Sequence, residues 1–463
     1  MAEAETRSRA LAWLVLAAAV LLAYSVLRAS AVAFTYDESL TLRLVERPVF
    51  EIVTLSKPIA NNHVLNTLLI KLARALFGRG ELVYRLPNLA AHALSLGLSV
   101  GLARRARGTA QALGAFAVLA ASPYLLDYFS LARGYGLAVA CELAACVSLL
   151  AFERDRSIEE AGAALLASTA AVCANFAFLG FHVALAGALF GLTWRSSRRH
   201  ALVLAGCGLA VVLAVARPLW KLRQAGELYY GGHTSFVHDT LGSLASGFAY
   251  GATYGAVLAP ALGALLVLVL VGAGLCRVPG FRLLVAILAA QVAIAVVLHA
   301  AGTPWPLGRT ALPFVLPVLV LAARLLASAP SPVAGVAAAV LAGHLIACAN
   351  LTSAIDWRYT TDIKTAMRQV ETERAAAGAD RVRLLVSWPF EESALFYVRE
   401  WGLSRIDCEV AEAVSDPERF DFYYVLDEDQ PFGFKADRAV ITRPGRRIVG
   451  SFPRSGSTLL RAP

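Results

Sequence analysis

Two adjacent carboxylates, Asp37 and Glu38 in the run FTYDESLT, follow directly on an apolar stretch from Ala10 to Leu27. That stretch reads as a retained membrane span, longer than the apolar part of a signal peptide and without a small-residue cleavage site. Acids just outside the hydrocarbon sit where a lipid headgroup and a water-soluble acceptor could meet. A carboxylate there can take the proton of an attacking hydroxyl. Asp37 is the candidate general base, and Glu38 could tighten its hold on a proton by like charge, orient it, or touch the substrate. The plainer use of the pair is as N-cap and first-turn acids of a helix over ESLTLRLVE, and the residues alone leave both uses open.

Such a base would work beside cations if the leaving group were a phosphate. Lysine occurs only at 57, 71, 221, 364 and 435, so arginine supplies nearly all the positive charge and a lysine in a special place carries information. Lys57 precedes Pro58, which biases its backbone to extended structure, and its ammonium can meet a phosphate as a point charge or simply anchor to lipid headgroups. Arg43 has the same two uses. His63 could hydrogen-bond a phosphate or a sugar, or be the polar start of a helix. Arg85 in YRLP, Arg133 in LARGY and Arg309 in LGRT each fall at the predicted outer end of a span. Guanidinium groups at one depth could converge on a phosphate bidentately; the competing use is snorkelling to the interface. Asp127 and Tyr128, at the outer end of another span, could line an acceptor cleft or cap a helix. Glu142 lies inside a span, where an ionisable residue is either functional or the partner of a buried arginine. His92, His182, His299 and His344 read as interhelical hydrogen-bonding groups. His233, His238 and Asp239 lack diagnostic metal spacing. Tyr229 and Tyr230 read as interface aromatics.

The elements that must position these groups are membrane helices. Of 463 residues 58% are hydrophobic and only 16% charged, against about 25% charged in a soluble domain, and mean hydropathy is +0.62. A formal charge of +9 would suggest nucleic acid in a soluble chain, but these arginines flank apolar runs, so nucleic acid is excluded as a partner and membrane lipid expected. Six of the seven cysteines lie within apolar stretches and Cys408 in the polar tail, which offers no disulfide framework. Candidate spans are 10–27, 82–103, 109–126, 134–152, 159–174, 176–193, 201–217, 256–275, 283–301, 310–327 and 333–350, about eleven. Arginine clusters at 7–9, 104–107, 154–156, 195–199 and 277–282 share one side, which puts the N-terminus in the cytoplasm and the C-terminal segment outside. The outer loop 28–81 contains HVLNTLLIKLARALFG, whose apolar spacing predicts a helix lying along the membrane surface. A second outer loop covers 218–255. A membrane domain over 1–350 is thus followed by a small extracytoplasmic α/β domain over 351–463, with helices over 361–377 and from Pro389 and strands in RVRLLVSW, RIDCEV, DFYYVLD, AVITR and RRIVGSF.

These pieces together resemble a membrane glycosyltransferase of the GT-C superfamily, of the protein O-mannosyltransferase and aminoarabinose-transferase type. The resemblance rests on the Asp-Glu pair after the first span, on SKPIANNHVLNTLLIKLARALFG, ELVYRLPNLAAHALSLG and DYFSLARGYGLAVA, and on PWPLGRTALPFVLPVLVL. The family often has His-Pro-Pro or Lys-Pro-Pro before its surface helix; here Lys57-Pro58 and Asn61-Asn62-His63 divide that motif. The C-terminal segment matches no motif. The resemblance implies an inverting transferase that moves a hexose or pentose from a polyprenyl-phosphate donor to an acceptor hydroxyl at the outer face, with Asp37 as base, Glu38 as its assistant, and Lys57, His63, Arg85, Arg133 and Arg309 toward donor phosphate and sugar. No cofactor is required, although a divalent metal at Asp37 would point to a pyrophosphate-lipid oligosaccharyltransferase or ligase. A transporter or flippase of a lipid-linked sugar should carry charges and broken helices at mid-membrane in related halves; this chain has few such charges and no evident repeat. A scaffold without activity is a third reading, against which the Asp-Glu pair stands.

Overall fold

The computed structural model describes residues 2–251, 255–275, 277–411, 420–427, 429 and 437–463. Two compact units emerge. One comprises 1–26, 47–73 and 85–349; the other gathers 27–46, 74–84 and 350–463.

The first unit is a bundle of apolar helices. Among the described residues eight helices are long and apolar enough to cross a membrane, or nine if one bent pair counts as a span. The chain is therefore a polytopic α-helical membrane protein with a small C-terminal sheet. The stretch 109–126 is the bent pair: Thr109–Ala120 and Pro123–Phe129 meet at 58°. Pro123 has no N–H to continue the first helix, and Ser122 restarts the chain by accepting the Leu125 N–H at 3.4 Å. The stretch 159–174 lies in a helix of only 17 residues, Ile158–Ala174. The span expected over 201–217 belongs to a longer helix, Arg198–Gln224, which runs through Pro218 and shortens the second outer loop; residues 252–254 of that loop lie outside the described residues.

Small residues and a few polar groups hold the bundle, as expected where lipid offers no hydrophobic drive between helices. A Cβ on Gly114 would stand 2.8 Å from the carbonyl oxygen of Ala334. His182 bridges three helices: Nδ1 pairs with Ser168 Oγ at 2.8 Å and Nε2 with the Gly208 carbonyl at 3.3 Å. His344 reaches the Phe248 carbonyl at 2.9 Å. His299 instead bonds the nearby Thr303 carbonyl, and His92 stacks on Phe129 with centroids 4.6 Å apart. Glu142 is fully buried, and neither carboxylate oxygen finds a hydrogen-bond partner among the described residues, so of its two readings the pairing with a buried arginine is not found among them.

The second unit is a five-stranded sheet with helices. Its strands are β1 (Val382–Ser387), β2 (Ile406–Ala411), β3 (Phe422–Leu426), β4 (Arg447–Phe452) and β5 (Ser457–Arg461), in the order β2-β1-β3-β5-β4. β1 pairs in parallel with β2 and β3, and β5 runs antiparallel to β3 and β4. The strand expected in AVITR is absent: Arg438–Ile441 is a short helix. Asp437 opens that turn by accepting the N–H groups of Val440 and Ile441 through its carbonyl. The place beside β3 goes to STLLR, which buries Leu459 and Leu460.

Residues 27–46 are tied into this unit. Buried Arg28 donates to the carbonyls of Asn350 at 2.6 Å and Ser353 at 2.9 Å. The Phe34 N–H donates to the Tyr397 hydroxyl at 2.7 Å, and its ring stacks on Phe396 at 4.2 Å. Lys364 pairs with Glu81 at 2.8 Å.

Candidate functional site

In the second unit Asp37 and Glu38 open the helix Tyr36–Val45, but neither is its N-cap. Thr35 is. Its hydroxyl accepts the Glu38 N–H at 3.3 Å while Glu38 Oε2 accepts the Thr35 N–H at 2.9 Å, a reciprocal capping box. Glu38 is wholly buried as it does so. Asp37 is half-buried in the first turn, its main-chain carbonyl accepting from Thr41 Oγ1 at 2.9 Å. Tyr36, the residue before it, has its ring 5.6 Å from that of Trp388. Arg43, a phosphate candidate in the sequence, forms an ion pair with buried Glu392. Other cations of the first loop are similarly used: Arg74 pairs with Glu46 and Arg47 with Glu51, and Lys71 donates to the Arg47 carbonyl.

In the first unit the run LARGYG builds a cationic corner. Arg133 is the N-cap of the helix Gly134–Asp155, is almost completely buried, and donates to Asn61 Oδ1. The glycines on either side of Tyr135 permit the approach of neighbouring chain. A Cβ on Gly134 would lie 2.1 Å from the Ala174 carbonyl oxygen and 2.7 Å from His63 Cβ; one on Gly136 would lie 2.5 Å from the Tyr128 carbonyl oxygen. Gly134→Ala is expected to destabilise the protein by about 1–3 kcal/mol, the usual cost of overpacking. Thermal unfolding in detergent checks this, and an unchanged midpoint would contradict the close approach.

A buried amide chain braces the corner. Asn88 Nδ2 donates to Asn66 Oδ1 at 2.9 Å, Asn88 Oδ1 accepts the Leu137 N–H at 3.0 Å, and Asn66 Nδ2 reaches the Ala132 carbonyl at 3.4 Å. His63 packs edge-on to Tyr135 at 5.2 Å, the ring that Arg133 also approaches at 5.8 Å. Burial first, then the charges of Arg133 and Arg309, holds the His63 imidazole well below its ordinary 6.5. His63 is therefore neutral at pH 7 and serves as a hydrogen-bonding group rather than a cation. Two buried polar atoms in this wall, His63 Nε2 and Asn175 Nδ2, have no hydrogen-bond partner among the described residues.

Because the unfolded chain binds this proton more readily than the folded one, His63 leaves stability intact above pH 6.5 and erodes it as pH falls through the window below. The slope contributed is at most about 1.4 kcal/mol per pH unit. Wild-type protein should lose more thermal stability between pH 7.5 and 5.5 than His63→Gln does; parallel profiles would refute a buried neutral imidazole.

Arg309 lies 4.6 Å from the Tyr230 ring centroid, and Gly308 N donates to Ser243 Oγ at 2.7 Å. Tyr230 thus has a partner that an interface aromatic does not require, whereas Tyr229 is exposed. Asp127 accepts the Tyr250 hydroxyl at 2.7 Å, and Tyr128 lies between Tyr124 and Tyr135 at 5.2 and 5.3 Å. Arg85 is fully buried. Lys57 is exposed, in a loop pinned elsewhere: Lys221 donates to the Thr54 carbonyl and Glu227 accepts the Ala60 N–H, both at 2.9 Å. His238 and Asp239 are consumed locally, with Asp239 accepting from Thr234, Ser235 and the His238 ring.

Neither a protein-family model nor a curated protein matches the sequence. Solved structures do match in fold. ArnT from Cupriavidus metallidurans bound to undecaprenyl phosphate superposes with a TM-score of 0.55 at 14% identity, over 97% of this chain and 98% of that one. The fold is that of ArnT. The apo state of ArnT from the same organism gives 0.55 at 13% identity, over 97% of each chain. ArnT is an aminoarabinose transferase of the GT-C type, so the fold expected from the ordered motifs is the fold found. Asn61, Asn66, Asn88, Asn175, Tyr230 and Tyr250 complete the surroundings of the predicted site residues in the ArnT fold. In the sequence Asn61 already stands in the divided motif Asn61-Asn62-His63 and Tyr230 reads as an interface aromatic, while Asn175 falls at the break between the stretches 159–174 and 176–193.

Proposed function

We propose that this protein is an inverting glycosyltransferase that moves a hexose or pentose from a polyprenyl-phosphate donor to an acceptor hydroxyl at the outer face of the membrane. The observation that carries this reading is the buried cationic corner of Arg133, with Arg309 felt at neutral His63, in a chain with the fold of a protein solved with undecaprenyl phosphate. A lipid phosphate is already a competent leaving group, so the chemistry needs a base and cationic stabilisation but no acid to protonate an alkoxide. Asp37 takes the acceptor hydroxyl's proton as its oxygen attacks the sugar C1. The bond from C1 to the phosphate oxygen breaks, and its electron pair leaves with the polyprenyl phosphate. Attack opposite the leaving group inverts the anomeric centre.

Arg133 meets the phosphate with charge-assisted hydrogen bonds, Arg309 adds charge, and the unsatisfied His63 Nε2 and Asn175 Nδ2 are available to donor oxygens. Arg85 and Lys57 contribute positive potential; Asp127 and Tyr128 belong to the acceptor side. Glu38 holds the turn that presents Asp37. No metal is assigned a role. The N-terminus is cytoplasmic and the C-terminal residues are outside. The test is turnover by purified protein of a panel of polyprenyl-phosphate sugars with lipid, glycan and peptide acceptors, read by mass of product. Release of polyprenyl phosphate with sugar appearing on an acceptor supports the reading, and vesicle-to-vesicle movement of intact donor without transfer would replace it with a flippase.

A further inference from the structure

The opposite end of the Gly134–Asp155 helix from Arg133 carries a second concentration of arginine that the transfer reaction does not use. An open cavity of about 510 Å³ is lined there by Arg156, Gly191, Leu192, Arg195 and Ser196. Arg156 closes the helix in the left-handed region, at φ 54°, where an L side chain is uncommon and backbone strain invites a functional explanation. The Arg195 side chain is exposed and makes no hydrogen bond or ion pair among the described residues. Two of the nearby acids are already used: Asp155 is paired with Arg154 at 2.5 Å and Glu159 accepts from Ser157 Oγ at 2.5 Å.

The next helix, Arg198–Gln224, opens with Arg198, Arg199 and His200 and has no acid in its first turn. Cations at the positive end of a helix dipole are unfavourable unless an anion sits nearby. Positive-inside patterning puts such an arginine cluster at the border of an apolar span, where headgroups are met. Trp194 is 39% exposed with Arg198 5.5 Å from its ring, and Leu202 and Val203 beyond it are 59% and 56% exposed, the sequence of an interfacial aromatic followed by an apolar face.

We infer that this cavity binds the phosphate headgroup of an anionic membrane phospholipid, with Arg156 and Arg195 pairing the phosphate and Leu192 against the glycerol end of the acyl chains. The lipid is chosen over a soluble phosphate because Leu192 lines the cavity beside its arginines and exposed Trp194, Leu202 and Val203 are close in sequence. It stands independently of the transferase reading.

Gly191 supplies a clean probe, since a Cβ there meets nothing within 4 Å and a larger side chain would fill the cavity without strain. Full-length protein, stripped of lipid in detergent, is titrated with phosphatidylglycerol, with phosphatidylcholine and with inorganic phosphate, and bound lipid is counted by native mass spectrometry. Wild type should retain one phosphatidylglycerol in preference to phosphatidylcholine. Arg156→Asn with Arg195→Gln should weaken that retention about 30-fold, the worth of two basic residues at an anionic surface, and asparagine tolerates the left-handed backbone. Gly191→Leu, with both arginines intact, should weaken it as well. Equal retention of the two lipids, unchanged retention in either variant, or displacement of phosphatidylglycerol by an equal concentration of inorganic phosphate would overturn the assignment.

Discussion

Asp37→Asn protein is expected to transfer sugar about 10²–10⁴ times more slowly than wild type, the range that positioned general bases contribute. Donor affinity should be unchanged, because the substitution removes a proton acceptor and no cation. The helix should survive it. The start of Tyr36–Val45 is held by Thr35 and Glu38, and Asp37 contributes its main-chain carbonyl to Thr41, so an asparagine leaves cap and hydrogen bond in place. A thermal midpoint near that of wild type therefore accompanies the loss, and single-turnover rates with saturating donor measure it. Undiminished transfer would remove Asp37 from the mechanism. Glu38→Gln separates the two acids: its amide can still accept the Thr35 N–H, and transfer should fall far less than in Asp37→Asn.

The second large effect is expected at Arg133. Replacing it by lysine keeps the charge and removes the planar fork of donors, a change that is not conservative where phosphate is bound bidentately. Loss of one or two charge-assisted hydrogen bonds corresponds to about 2–3 kcal/mol, or about 30- to 150-fold in kcat/KM for the donor. The loss should fall on donor KM and leave the acceptor KM alone. Lys57→Gln is the contrast, since Lys57 is exposed and screened by water and salt; its effect should stay within a few-fold. Undiminished kcat/KM in Arg133→Lys would mean that any positive charge suffices, against a built phosphate site.

Much of this architecture was legible because membrane helices and their arginine-rich borders are written as long contiguous patterns. A helix over HVLNTLLIKLARALFG is found as Val64–Phe77, and the break near Ser122-Pro123 was present as a proline inside an otherwise continuous run. The cap of the Asp37 helix was also readable: Thr35-x-x-Glu38 is a capping-box signature, overlapped by the adjacent acid Asp37. The Asn66–Asn88 brace was not legible, because a hydrogen bond between two asparagines 22 positions apart has no period and no composition. Strand β5 was missed for a related reason. STLLR is short, and although the turn-forming run Pro453–Gly456 precedes it, its place is set by the partner β3 rather than by local preference.

The contacts that fix residues 27–46 have a consequence for the order of events in biosynthesis. Arg28 finds its acceptor carbonyls 322 and 325 residues downstream, and Phe34 meets the Tyr397 hydroxyl 363 residues away. A nascent chain emits the Asp37 segment almost first and its supports almost last, so the acid waits, unbuttressed, through the insertion of every span between. A chain that stops before residue 350 lacks the carbonyls of Asn350 and Ser353 and the Tyr397 hydroxyl, so the segment that carries Asp37 is left without these three anchors.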